Sequence, residues 1–166
     1  VAIIDTNTLE VVRTVEVGQR PRDIAFTPDS ATAYISGEFD ASLYRVSVRQ
    51  DHPAERVLQL RKETRPMGVV LDPTRHRLYL STGRGGTVAV VDTTDPKTLR
   101  LVKEVRVGTR PWGIALSRDG KRLYTANGPS NDVSVVDTTT LEVIKTIPVG
   151  RSPWGVVVGP VVGDEE

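Results

Sequence analysis

Three arginines, Arg20, Arg65 and Arg110, each stand directly before a proline, and Ser152 takes their place before a fourth. One residue after those prolines come Arg22, Met67, Trp112 and Trp154. A guanidinium is planar, permanently charged and forked, which suits carboxylates and phosphates held through parallel hydrogen bonds. Tryptophan adds a flat apolar face for a ring. The candidate ligand-binding residues are therefore Arg20, Arg22, Arg65, Arg110, Trp112 and Trp154, and the chemistry they offer is recognition of a small anion. A structural reading competes with it. Repeated arginines can bond the carbonyls of a neighbouring unit, and tryptophans can wedge between units.

Other reactive residue types form no catalytic or metal-binding set. There are no cysteines, which removes disulfides, thiolate metal sites, a cysteine nucleophile and covalent c-type haem attachment. The serines lack a Gly-x-Ser-x-Gly elbow and a nearby base. Gly83-Arg84-Gly85-Gly86 has the composition of a phosphate loop, but it leads into a strand pattern rather than a helix N-terminus. Asp5, Asp92 and Asp137 recur one per repeat, as do Asp29 and Asp119. Carboxylates working as an acid–base pair must lie within several ångströms of each other. One aspartate per repeat reads instead as a turn cap. Nothing in these residues calls for a cofactor.

The chain has 166 residues, with 22 Lys+Arg against 21 Asp+Glu. That near-balance argues against nucleic-acid binding, which needs a basic stripe to neutralise phosphates. No run of about 18 apolar residues is present to span a membrane as a helix. Apolar residues at 38% and charged residues at 26% describe a globular chain.

Repeats organise everything else. Val17-Gly-Gln-Arg-Pro-Arg-Asp-Ile-Ala-Phe aligns with Val107-Gly-Thr-Arg-Pro-Trp-Gly-Ile-Ala-Leu and with Val149-Gly-Arg-Ser-Pro-Trp-Gly-Val-Val-Val. Thr64-Arg-Pro-Met-Gly-Val-Val-Leu is a weaker copy. Pro21, Pro66, Pro111 and Pro153 are spaced by 45, 45 and 42 residues, and Tyr34, Tyr79 and Tyr124 by 45 and 45. Each period holds four strand patterns separated by turn residues, with no sustained helical period. The first pattern is a short apolar run of the kind expected of a strand buried on both sides. The last alternates and carries more charge, as a rim strand would.

Four strands every 42–45 residues is the period of a β-propeller, an all-β ring of four-stranded antiparallel blades. The predicted domain runs over 1–162. Residues 1–17 supply third and fourth strands only, 20–62, 65–108 and 110–150 are full blades, and 151–162 opens another with a first strand. Residues 163–166 form an acidic tail. Three full blades with partial blades at both ends leave open sheet edges, so a larger ring, or closure by association, is expected. In this order the Arg-Pro loops lie on the face where propellers commonly bind ligands, beside the loop Glu38-Phe39-Asp40. That loop departs from the repeat and reads as solvated or as a partner contact. His52 and His76 fall in loops of the opposite face, in different blades, and read as solvated.

The residues Arg118-Asp-Gly-Lys-Arg-Leu-Tyr-Thr-Ala-Asn127 and Asn131-Asp-Val-Ser-Val-Val-Asp-Thr138, with the Val-Gly-x-x-Pro-x-Gly-Ile-Ala pattern, resemble the YVTN-type propeller repeat. The closing Gly128-Pro-Ser-Asn-Asp-Val-Ser-Val-Val-Asp137 and Gly150-Arg-Ser-Pro-Trp-Gly155 are similar to the C-terminal end of propellers associated with pyrroloquinoline-quinone-dependent catabolism. That resemblance implies a seven-bladed parent ring, a periplasmic or secreted location, and a role beside quinoprotein alcohol dehydrogenases. The function expected is a non-catalytic scaffold that binds a partner protein or small anionic ligand on its channel face. The alternative is a propeller enzyme, a lactonase-like hydrolase or haem-dependent reductase, with catalytic residues in upstream sequence.

Overall fold

The structure is a computed structural model and describes residues 1–159. A two-stranded antiparallel sheet, β1 (Ala2–Ile4) and β2 (Val11–Thr14), precedes three four-stranded antiparallel sheets. The first comprises β3 (Pro21–Phe26), β4 (Thr32–Gly37), β5 (Ser42–Ser47) and β6 (Glu55–Gln59). The second comprises β7 (Val69–Asp72), β8 (Arg77–Ser81), β9 (Thr87–Asp92) and β10 (Arg100–Arg106). The third comprises β11 (Pro111–Leu116), β12 (Arg122–Asn127), β13 (Asp132–Asp137) and β14 (Glu142–Pro148). Every strand pairs with its neighbour in sequence, which makes each sheet a meander. Among the described residues the one helical element is a single 3-10 turn at Gly83–Gly85.

Strand alternation builds the core between sheets rather than within them. On β8, Leu78 and Leu80 face back toward Tyr34, Leu43 and Leu60 of the first full blade. Tyr79, between them, faces forward and packs with Leu123, Val136 and Leu141 of the third. Burial of this kind makes truncating Leu80 to alanine cost about 2–5 kcal/mol. The fourth strands are mostly exposed, and all of β14 is. The expectation that first strands are buried on both sides holds best on β7, which has no exposed residue, and least on β3 and β11. On β3, Ile24 and Phe26 are exposed, and β11 is only partly buried beyond Pro111. The most buried strands are the second and third, β8 and β9 above all. β8 and β9 have a full blade on each face. Ile24 and Phe26 of β3 look instead toward the two-stranded β1–β2 sheet, and β11 has a full sheet on one side only among the described residues.

Residues 151–159, where the first strand of another blade is expected, have no strand to pair with among the described residues and form no ladder. They still run beside β11, where the Gly113 N–H donates to the Trp154 carbonyl at 3.0 Å. Residues 160–162, and the acidic tail at 163–166, lie outside the described residues.

The repeated aspartates cap turns as expected. Asp5 Oδ1 accepts from the N–H groups of Asn7 and Thr8, and Asp137 Oδ1 from those of Thr139 and Thr140. Asp29 and Asp119 each take one N–H and one hydroxyl of their own turn.

Candidate functional site

Successive inner strands are stitched near the channel by backbone and hydroxyl bonds. Gly68 N–H donates to the Trp112 carbonyl at 3.1 Å, and the Ser81 hydroxyl donates to the same carbonyl at 2.6 Å. The Ser36 hydroxyl donates to the Met67 carbonyl at 2.6 Å. Glycine is required at 68, where a Cβ would stand 2.7 Å from Ile114 Cγ2 and 2.9 Å from the Trp112 carbonyl oxygen. The first copy of the repeat carries Asp23 at this position. Its carboxylate completes the junction differently, with Oδ2 accepting the Val69 N–H at 2.8 Å.

These stitches bring the Arg-Pro loops to one rim of the channel. Arg20 and Arg110 adopt left-handed backbone, with φ of 59° and 51°, and so does Ser152 at 50°. A residue before proline ordinarily avoids helical backbone for the extended region, so the turn is costly and must be held by its surroundings. Ser152 makes the same turn without a guanidinium, so the turn does not require arginine. Next to it, the pairing register shifts between Pro21 and Ile24 and between Pro111 and Ile114. Such bulges re-aim side chains, here those of Arg22 and Trp112.

All six candidate residues line one cavity of about 330 Å³, together with Glu38, Phe39, Met67, Gly83 and Arg84. The arginines lie against the aromatic rings. The guanidinium carbons of Arg20 and Arg65 are 5.1 and 5.2 Å from the Phe39 centroid. Arg22 stands 5.5 Å from the Trp154 ring and Arg110 5.5 Å from the Trp112 ring. The two tryptophans meet at 4.5 Å between centroids with a tilt of 42°. Glu38 is the one carboxylate lining the cavity. Its Oε2 is buried, 3.2 Å from Arg20 Nε and 3.4 Å from Arg22 Nε. Five guanidiniums face a single carboxylate, and Arg65, Arg84 and Arg110 form no ion pair among the described residues.

The structural reading of the arginines is met at one of them, where Arg65 Nη1 donates to the Phe39 carbonyl of the preceding blade at 3.2 Å. In the loop read as solvated or as a partner contact, Phe39 is exposed, while Glu38 and Asp40 turn inward. Glu38 fixes two arginines, Phe39 lies against two, and the Tyr44 hydroxyl bonds to Asp40. Sequence reasoning assigned Arg84 to a plain turn. The signal that finds it is the repeat offset: Arg84 stands 45 residues after Phe39, in the same loop of the next blade. His52 and His76 are exposed and lie away from this cavity. No cluster of three His, Cys, Asp or Glu suited to a metal occurs among the described residues. No helix among the described residues is long and apolar enough to cross a membrane.

Residues 4–150 match the family described as lactonase, seven-bladed β-propeller. The chain belongs to this lactonase family. Solved structures share the propeller-lactonase architecture. Hydrazine synthase from Kuenenia stuttgartiensis matches with a TM-score of 0.74 at 27% identity, over 91% of this chain and 43% of that one. A candidate 6-phosphogluconolactonase from Bacteroides fragilis matches with a TM-score of 0.73 at 21% identity, over 86% of this chain and 43% of that one. A protein from Lactobacillus plantarum matches at 0.71 and 18% identity, over 86% and 46%. This lactonase-family chain thus spans under half the length of each of these. No curated protein sequence matches it.

Proposed function

We propose that the channel-mouth cavity binds a small anionic ligand, with Arg65, Arg84 and Arg110 as the anion contacts. The observation that carries this reading is the excess of five guanidiniums over one buried carboxylate around a single cavity. A low-dielectric concave site strengthens such contacts. Arg20 and Arg22 are neutralised in part by Glu38 and shape the wall. An acidic group presented by a partner protein is the second kind of occupant. On sequence resemblance alone, to the YVTN-type repeat and the quinone-associated propellers, the proposal extends to a periplasmic role beside quinoprotein alcohol oxidation. Titration of the chain with inorganic phosphate and with a tricarboxylate, at low and high salt, tests the site. Binding that weakens with salt supports it, and no binding at low salt refutes it.

Family membership supports a second reading, an enzyme acting on a lactone that carries an anionic group. The cavity here offers charge stabilisation for a developing oxyanion. It offers no acid–base pair among the described residues, since Glu38 is clamped by two guanidiniums and neither histidine lines it. Under this reading the general base comes from elsewhere in a complete ring. Turnover of an anionic lactone above the spontaneous rate by the ring-complete protein would establish the enzyme; binding without turnover by that protein would favour the scaffold.

A further inference from the structure

We infer that the ligand of this cavity is a planar, unsaturated ring bearing two or more negative charges, an inference that rests on the anion-binding reading above. Four of the five guanidiniums lie 5.1–5.5 Å from an aromatic centroid. Each is therefore held near a flat neighbour. The N–H edge of Arg110, and that of Arg65 apart from its bond to the Phe39 carbonyl, is left to bind, while Arg20 and Arg22 are engaged by Glu38. On the same cavity wall, Trp112 and Trp154 present two tilted indoles, and Trp154 is 61% exposed. A saturated, puckered anion can take the N–H edges but gains little from these surfaces. A flat ring can lie against indole and guanidinium planes while its substituent anions reach the N–H edges.

The seat of Trp112 supports a built surface. Gly128 lies under its six-membered ring, leaving no room for a Cβ. The equivalent position in the preceding blade, Gly83, borders Met67, with a Cβ there 3.1 Å from Met67 Cγ. In the first full blade the pair is Arg22 and Glu38. The cavity wall thus runs from a charged pair to a thioether to a seated indole, an asymmetry that the repeat architecture by itself does not require.

Aromatic carboxylates and nucleoside monophosphates share this chemistry, and the test separates them. The chain's two tryptophans are both in the cavity, so its indole fluorescence reports this site alone. Benzene-1,3,5-tricarboxylate is titrated against cyclohexane-1,3,5-tricarboxylate, and a nucleoside monophosphate against ribose 5-phosphate, by fluorescence and calorimetry. The flat member of at least one pair should bind roughly tenfold tighter, the worth of one stacking contact, and the pair that shows it identifies the anion. In Trp112→Leu that preference should fall to near parity while calorimetry still detects binding. A preference under about threefold in both pairs, with binding intact, overturns the planar-ring inference and leaves the anion site standing. Binding by none of the four probes overturns the anion site itself.

Discussion

The ring of Trp112 rests on the backbone of Gly128, closer than any side chain at 128 would allow. The same two repeat positions are occupied by Arg22 and Glu38 in one blade and by Met67 and Gly83 in the next. An ion pair, a thioether against glycine and an indole against glycine are three solutions to one packing problem. What the position after the proline carries is matched by what the loop above it leaves open.

Gly128→Ala should therefore displace the indole. Overpacking of this kind costs typically about 1–3 kcal/mol, read as a lowered urea midpoint. The tryptophan emission should shift as well, because a reporter of the cavity has moved. An unchanged spectrum with unchanged stability would show that the ring is not seated as described.

Asp23 joins the first two full blades through its carboxylate, which accepts the Val69 N–H, where the next junction has Gly68 N–H donating to the Trp112 carbonyl. Asp23→Ala leaves the Val69 N–H without its acceptor, which costs about 1–3 kcal/mol where water cannot substitute. Chemical denaturation measures it, and a loss within experimental error would show that this bond does not join the blades.

Tyr79 is fully buried and its hydroxyl has no hydrogen-bond partner. Burial pushes its ionisation above the usual tyrosine range. The nearby Arg77 opposes that shift but donates to the Thr138 carbonyl instead of meeting the hydroxyl. Removing an unpaired buried donor is neutral or favourable, so Tyr79→Phe should hold or raise stability at pH 7. The folded state keeps the tyrosine proton more tightly than the unfolded chain, so this contribution is present below about pH 10 and lost above it. Tyr79→Phe should accordingly lose less stability than the parent between neutral and strongly alkaline pH. A marked destabilisation at pH 7 would contradict the burial of an orphan hydroxyl.

The repeat made the architecture legible, because prolines and tyrosines at a 45-residue spacing admit few folds. The arginine and tryptophan positions were legible for the same reason: equivalent residues of a ring point to one rim. Two things were not. Apolar runs such as Ile114-Ala115-Leu116 read as doubly buried, yet burial of a strand face depends on the sheet beside it, and β11 has a full sheet on one side only among the described residues. In the loop Glu38-Phe39-Asp40, read as solvated or as a partner contact, the pairing of Glu38 was hidden because Arg20 and Arg22 come from a different segment of the blade. A local pattern carries no trace of such a contact.

Turn aspartates set the acid limit. Asp5, Asp29, Asp119 and Asp137 sit below the ordinary carboxylate range, held there chiefly by hydrogen bonds from their own turns. Asp92 behaves alike through the Thr94 hydroxyl and N–H. Each binds its proton less readily folded than unfolded, so the stability it adds is present above about pH 4 and is lost as pH falls through the lowered folded values. A plateau down to about pH 5 followed by decline below pH 4 is expected in thermal melts. Decline beginning near pH 6 would contradict the assignment to these aspartates.

The most direct test of the central claim is phosphate and tricarboxylate binding by the Arg65→Ala, Arg110→Ala double variant. Both residues contact the cavity from loops, and circular dichroism should show the strands retained. Charge-assisted hydrogen bonds are each worth about 1.5–3 kcal/mol, so the account predicts affinity lost by on the order of a hundredfold or more. The salt dependence of what remains should flatten. A folded double variant that binds as tightly as the parent would contradict an anion site at this channel mouth.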